Sequence, residues 1–407
     1  MILDRRTLLT TAAATTLAAG RARAQTPILR IGVMNDQSGV YRDDTGMTGV
    51  LCTRQAAEEF AAQLPGVTIE VVSADHQNKA DIGASIAREW FDRGGVDAIV
   101  DVPTSSVALA VNTVCREKNK VFLNSGAATT DLTGAQCSPN TVHWTYDTYM
   151  LAHSTGGATV RAGGDSWYFI TANYVFGQQL QRDTAKVVTD AGGKVLGSSV
   201  YPFPETSDFS GPLLQAQSSG AKVLGLCNSG ADTINCIKQA HEFGLTSTMR
   251  IAAMLLYGSN IHAVGLEMGQ GLIATESYYW DLNERTRAFN ARMKPKTPNQ
   301  WPNSIQAGNY GAVTHYLKAV KSLGVAAAQA DGRAVVARMK AIPTDDDCFG
   351  HGVIRADGRK LHPAYLLQAK TPAESTQPWD VMKVIATTPA DQAFRPESEG
   401  GCTMVKM

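Results

Sequence analysis

The sequence predicts an α/β protein built as two lobes, each with a parallel sheet flanked by helices. Three observations predict it. Strands and helices alternate from residue 28 onward, the same grammar restarts near residue 150, and segments of first-lobe character return late in the chain. Short continuous Val/Ile runs mark buried strands, and apolar spacings of three and four mark helices. Such alternation implies a sheet covered on both faces.

In order, "ILRIGVMN" reads as a buried strand, followed by the loop "DQSGVYRDDTG" and a helix through "GVLCTRQAAEEFAAQL". "VTIEVVSAD" is a strand, "KADIGASIAREWFDRG" an amphipathic helix, "VDAIVDV" a strand, "SSVALAVNTVCREKN" a helix and "KVFLNSG" a strand. The second half repeats this with "MLAHSTGGATVRAG", "SWYFIT", "GQQLQRDTAKVVTDAG", "KVLGSSVYPF", "DFSGPLLQAQSSG", "AKVLGLCN", "ADTINCIKQAHEFG" and "MRIAAML". Two helices containing "ERTRAFNARM" and "SIQAGNYGAVTHYLKAVKSLG" return to the first lobe, and "HPAYLLQAK" with "WDVMKVIAT" forms a β-hairpin.

At 407 residues the chain is long enough for two domains, and 44% apolar residues can fill their cores. Lys plus Arg equal Asp plus Glu at 37 each, which argues against a nucleic-acid partner. Residues 1–25 read as an export signal: Arg5-Arg6, a modestly apolar stretch, then Ala22-Arg23-Ala24 with cleavage before Gln25. Paired arginines before a weakly hydrophobic stretch predict the twin-arginine route and a periplasmic location.

An exported chain permits disulfides. Cys115 and Cys137 flank the strand "KVFLNSG", and Cys348 and Cys402 bracket the C-terminal region, so these two pairs are the disulfide candidates. Cys52 reads as a small buried hydrophobe. Cys227 and Cys236 are left open, and no C-x-x-C occurs.

Ligands of open α/β sheets bind beyond the carboxyl ends of the strands, which here lie at the gap between the lobes. The loops at those ends are therefore the candidate site. The first offers Ser38-Gly39-Val40-Tyr41. The third follows "IVDVP" with Thr104, Ser105 and Ser106 at the mouth of a helix. There, amides without intrahelical partners can receive a carboxylate. The fourth offers the amides of Gly126, Ala127, Ala128 and Thr129. In the second lobe the loops offer Tyr174 and Phe176, then Asn228, Ser229 and Gly230, then "AAMLLYGSN". The run "ESYYWD" adds aromatics at 278–280.

In this order and at these distances, "SGVY", "SGAATTDLTG", "NYVFGQQL" and "GADTINCIKQAHEFGL" resemble the type I periplasmic substrate-binding proteins of ABC importers. The subgroup is that of the branched-chain amino-acid (Leu/Ile/Val) receptors, with its aromatic- or organic-acid-binding members included. The resemblance covers residues 28–390. It implies two Rossmann-like lobes joined by a three-crossover hinge, with crossovers near 143–148, 272–280 and 350–358. Lobe one would be 26–145 plus 276–352, lobe two 146–275 plus 353–390, and 391–407 a C-terminal tail. It also implies hinge closure on a ligand, an ABC permease as partner, a monomer, and no cofactor. By position it assigns Tyr41, Ser105, Ser106, the 127–129 amides and Tyr310 to the first lobe's grip. Phe176 and the Asn228-Ser229 loop match second-lobe contacts; Tyr174, Leu255 and Tyr278 complete the expected set.

Amino-acid-binding members place an acid in the second lobe to meet the ligand's ammonium. The matching stretch here is Met254-Leu255-Leu256, and Asp232 reads as a helix cap. The expectation is therefore a carboxylate ligand with an apolar or aromatic body and no required amino group. An amino acid or amide ligand, and a ligand-sensing role for a receptor, are the alternatives. A hydrolase is disfavoured, because Ser105 and Ser106 lack a G-x-S-x-G elbow or an S-x-x-K. His143, His153, His351 and His362 also lack metal-ligand spacing.

Overall fold

A computed structural model describes residues 26–405; the export signal read in residues 1–25 lies outside them. β1 (Ile28–Asn35), β2 (Thr68–Asp75), β3 (Ala98–Asp101), β4 (Val121–Asn124) and β5 (Thr141–His143) form one sheet in the order β2-β1-β3-β4-β5. Every neighbouring pair in it is parallel. β6 (Ser166–Ala172), β7 (Lys194–Tyr201), β8 (Val223–Cys227) and β9 (Arg250–Ala253) form a second parallel sheet in the order β7-β6-β8-β9. In both, the strand order reverses beside the first strand, and a crevice for ligand forms at such a switch point.

The strands form where the sequence supplies uninterrupted apolar residues. β3, β4 and β8 are buried along their whole length, so they carry no alternating pattern. The helix Ser304–Leu323 packs against Gly46–Ala61, and its residues Tyr316, Val313 and Val320 enter the same core as Val33 and Val100. That is the predicted late return to the first lobe.

The terminal hairpin forms as expected from β11 (Ala364–Ala369) and β12 (Met382–Thr388), and it pairs antiparallel with β10 (Ile273–Glu276). The third crossover lies later than expected. Ile354 belongs to the first lobe's core and Arg359 bridges β5 at His143, so the chain leaves that lobe at 361–363 rather than before 353.

The disulfide expectation is corrected. Cys137 pairs with Cys402, tying the C-terminal tail to the first lobe. Cys115 and Cys348 are buried free thiols, as are Cys52, Cys227 and Cys236. Cys115 points into the core beneath the helix Ser105–Glu117, and Cys348 packs with Trp144 and Phe349, so neither reaches a partner.

Candidate functional site

At the end of β3 the backbone takes an unusual path. Asp101 and Val102 have φ of +86° and +57°, a region that a β-branched residue rarely adopts. Such strain persists only where surrounding contacts over-determine it. Here Asp101 is fully buried, and its Oδ2 accepts from Asn35 at 3.1 Å and Asn309 at 2.8 Å. The turn brings Pro103 against Gly126, where a Cβ would lie 2.6 Å from the Pro103 Cα. Both residues then face the gap between the lobes.

That gap narrows to a cavity of about 20 Å³. Tyr41, Asp44, Pro103, Gly126, Ala128 and Ile305 line it from the first lobe. Tyr174, Phe176, Ser229, Leu255 and Tyr257 line it from the second, and Tyr146 from the first crossover. Hydrogen bonds hold the lobes together. Tyr41 and Tyr174 share their hydroxyls at 2.6 Å, with Phe203 stacked on both rings. Tyr146 donates to the Gly126 carbonyl at 2.9 Å and meets the Tyr257 hydroxyl at 2.5 Å. The Ala231 amide donates to the Val40 carbonyl at 3.0 Å. Burial pushes all four tyrosine hydroxyls above their ordinary range, so they remain protonated.

The structure thus brings together Tyr41, Gly126, Ala128, Tyr174, Phe176, Ser229 and Leu255 from the expected set. The others fall elsewhere, each for a visible reason. Ala127 spends its amide on Asn124 Oδ1 at 3.1 Å. The Thr129 hydroxyl accepts from the Asp131 amide and starts a short helical turn. Asn228 is used by Thr233 and Cys236. Tyr278 is fully buried in the first-lobe core. Tyr310 packs on Phe289 and donates to Glu59 at 2.6 Å, away from the cleft. Ser105, the first residue of the helix after Pro103, is fully buried, and Ser106 beside it does not line the cavity. Thr104 donates to Asn78 rather than capping, so the first turn of that helix has no side-chain cap.

One expectation about charge is overturned. An acid does stand in the cleft, and it comes from the first lobe. Asp44 is 1% exposed, and its Oδ1 accepts from Asn260 of the second lobe at 2.8 Å. Its Oδ2 lies beside the Ser229 hydroxyl, and neither has another hydrogen-bond partner among the described residues. Among the described residues, no Lys, Arg or His lines the cavity. Burial pushes the Asp44 carboxyl up to about 7; the Asn260 amide opposes this and the Asp43 carboxylate adds to it. Asp232 instead accepts from Tyr201 at 2.7 Å, outside the cavity. On the same first-lobe wall, the Ala128 amide finds no acceptor among the described residues. The site therefore offers aromatic walls, one uncommitted amide and one uncompensated carboxyl.

Comparison with known proteins matches this architecture. A family model described as periplasmic binding protein matches residues 28–376. This chain belongs to the periplasmic binding protein family. A periplasmic binding protein from Burkholderia mallei is 47% identical over 93% of this chain and 99% of its own, with a TM-score of 0.89. A branched-chain amino acid ABC transporter periplasmic ligand-binding protein from Burkholderia xenovorans LB400 is 37% identical over 92% and 99%, with a TM-score of 0.80. A solute-binding protein of an ABC transporter from R. palustris, in complex with benzoate, shares the fold at 20% identity over 92% and 99%, with a TM-score of 0.80. No curated protein sequence matches significantly. As a periplasmic binding protein it is a binder rather than an enzyme, and the residues at its cleft are read as contacts rather than catalysts. Among the described residues, no helix is long and apolar enough to cross a membrane.

The residues that sequence reasoning missed are Asp44, Pro103, Tyr146, Tyr257 and Ile305. Asp44 and Tyr257 sit in loops already singled out, three residues after Tyr41 and two after Leu255. Their position beyond a strand end was the available signal.

Proposed function

We propose that this periplasmic binding protein captures a small carboxylate ligand with an apolar or aromatic body between its lobes. It then delivers the ligand to the membrane permease of an ABC importer. The cleft cavity carries this reading. Its lining is mostly aromatic and apolar with a few polar groups, which suits a small ligand. The Ala128 amide supplies a donor for a carboxylate without a formal positive charge. Tyr41, Tyr174, Phe176 and Leu255 supply the apolar walls. Export by the twin-arginine route and action as a monomer belong to the same reading.

Asp44 favours a second reading, an apolar α-amino acid whose ammonium meets the Oδ2 beside Ser229. The name of the B. xenovorans relative accords with this one, and the benzoate complex of the more distant R. palustris protein with the first.

A thermal-shift screen of aromatic acids, short aliphatic acids and α-amino acids tests both. A true ligand at ~100 times its Kd stabilises by about 2.7 kcal/mol. No shift with any member would overturn the carboxylate proposal. The pH dependence of affinity then separates the two. A ligand with no amino group needs Asp44 protonated, so its Kd rises by up to about tenfold per pH unit above ~7 and is flat below. Asp44→Asn would abolish that slope and retain binding. An amino-acid ligand needs Asp44 ionised, so its Kd falls as pH rises from 5 to 7. Asp44→Asn would then weaken it about tenfold or more.

A further inference from the structure

The loop after β2, "HQNK", lines no part of the cleft cavity, yet it is tied to two loops that do. Its residues Gln77 and Asn78 have φ of +53° and +56°, and such a conformation persists only where contacts fix it. Burial pushes the His76 imidazole down to about 4, against the pull of Asp36 and Asp75. Its Nδ1 therefore stays unprotonated and accepts the Asn78 amide at 3.0 Å. The Asn78 side chain reaches from there to both neighbouring loops. Its Nδ2 donates to Asp36 Oδ2 at 2.6 Å, and its Oδ1 accepts from the Thr104 hydroxyl. Asp36 and Thr104 are fully buried, where such bonds are electrostatically stronger than in water.

Asp36 in turn shapes the loop after β1. Its Oδ1 accepts from the Ser38 and Gly39 amides at 3.2 and 2.6 Å, and its Oδ2 from the Tyr41 amide at 2.8 Å. Its carbonyl accepts from the Thr45 hydroxyl at 3.1 Å, and the Tyr41 carbonyl accepts from the Asp44 amide at 3.0 Å. Tyr41 and Asp44, the two residues of this loop that line the cavity, thus hang on one residue. Gly39 is required beside it, because a Cβ there would lie 2.8 Å from both Asn78 Nδ2 and Asp36 Oδ2. At the other end, Thr104 directly follows Pro103, which also lines the cavity.

We propose that Asp36, Asn78 and Thr104 form a positioning relay, a hydroxyl–amide–carboxyl chain that ties the loops after β1, β2 and β3 together and sets Tyr41, Asp44 and Pro103 for the ligand. The relay rests on the cleft being the ligand site. All its members belong to the first lobe, so it holds whether the lobes are open or closed, and that lobe presents a finished half-site. An amide suits the middle position, since it donates to a carboxyl at one end and accepts from a hydroxyl at the other.

Hydrogen exchange of the full chain, read by mass spectrometry, tests the relay without any ligand. Thr104→Val removes the hydroxyl and keeps the outline of the side chain; Thr104→Ser keeps the hydroxyl. In Thr104→Val the amides of residues 36–45 are expected to exchange about tenfold faster, the consequence of one lost buried hydrogen bond, while those of β4 stay at wild-type rates. Thr104→Ser should restore the wild-type pattern. Should Thr104→Val not fold, Asn78→Asp serves instead, since it turns an acceptor toward Asp36 within the same outline. Calorimetric titration with benzoate and with L-leucine, one probe for each reading of the cleft, should give a Kd about tenfold higher in Thr104→Val than in wild type, and a wild-type Kd in Thr104→Ser. Failure of both probes to bind wild type counts against the readings of the cleft, and exchange alone then decides the relay. Unchanged exchange over 36–45 in Thr104→Val overturns it. So does equal acceleration in Thr104→Ser, or faster exchange with a wild-type Kd for a probe that wild type binds.

Discussion

Gly230→Ala is expected to weaken ligand binding at least tenfold while leaving the thermal midpoint of the free protein within a few degrees of wild type. Gly230 opens the helix Gly230–Glu242 with φ of +62°, and it faces the first lobe across the closed gap. A Cβ there would lie 2.4 Å from the Val40 carbonyl oxygen and 2.9 Å from the Tyr41 ring. The nearest of these atoms is backbone, which cannot swing aside as the end of a flexible side chain would. The neighbouring Ala231 amide donates to that same Val40 carbonyl, so the contact is one that closure itself makes. With the lobes apart the clash disappears, and only the left-handed conformation of a non-glycine residue is penalised, about 1–2 kcal/mol.

Gly244→Ala is the control. Its φ is +70°, but nothing stands within 4 Å of a Cβ there, so it carries the backbone strain without the wall. Calorimetry should find a near wild-type Kd for Gly244→Ala and a raised one for Gly230→Ala. Small-angle scattering with ligand should find the latter expanded. Equal affinities for the two variants would mean that capture does not need the lobes to approach this far.

The other large effect belongs to the C-terminal tail. Cys137 and Cys402 are 265 residues apart, so their bond closes a loop over most of the chain. On the chain-entropy account such a loop contributes up to about 5 kcal/mol. The tail also docks by contact: Phe394 is buried beneath the Arg359 guanidinium at 4.5 Å, and Arg355 donates to the Arg395 carbonyl at 2.9 Å. Cys402→Ser should therefore lower the thermal midpoint by up to ~10 °C. Reductant should do the same to wild type and nothing further to the variant. The five free cysteines should stay inert in the native protein, because burial pushes the thiols of Cys52, Cys115, Cys227, Cys236 and Cys348 well up. An unchanged midpoint in Cys402→Ser, or rapid labelling of Cys115, would contradict this account.

Pairing by proximity in sequence failed for these cysteines, and the reason is general. Cys115 and Cys137 are 22 residues apart, yet one faces the core under a helix while the other faces the tail. Local spacing carries no information about a partner 265 residues away. The aromatic residues divide on the same ground. Tyr41, Tyr174 and Phe176 lie just beyond strand ends, where position alone points a side chain into the gap. Tyr278 and Tyr310 lie on a crossover and a helix, where rotation about the element decides between cleft, core and outer face. Asp43 and Asp44 are adjacent and chemically identical. One side chain is 71% exposed beside Arg42, and the other is sealed in the site against Asn260 of the opposing lobe.

The sequence by itself determined the two α/β lobes, the late return to the first, and the loops that reach the cleft. Each of these follows from periodicity and from the polarity of parallel strands, which are local properties of the chain. Only the tertiary structure decided that the gap holds an uncompensated carboxyl, that the tail is bonded to Cys137, and that Asn78 joins Asp36 to Thr104. Those depend on which distant segments end up a few ångströms apart, and burial then changes what the same side chains do.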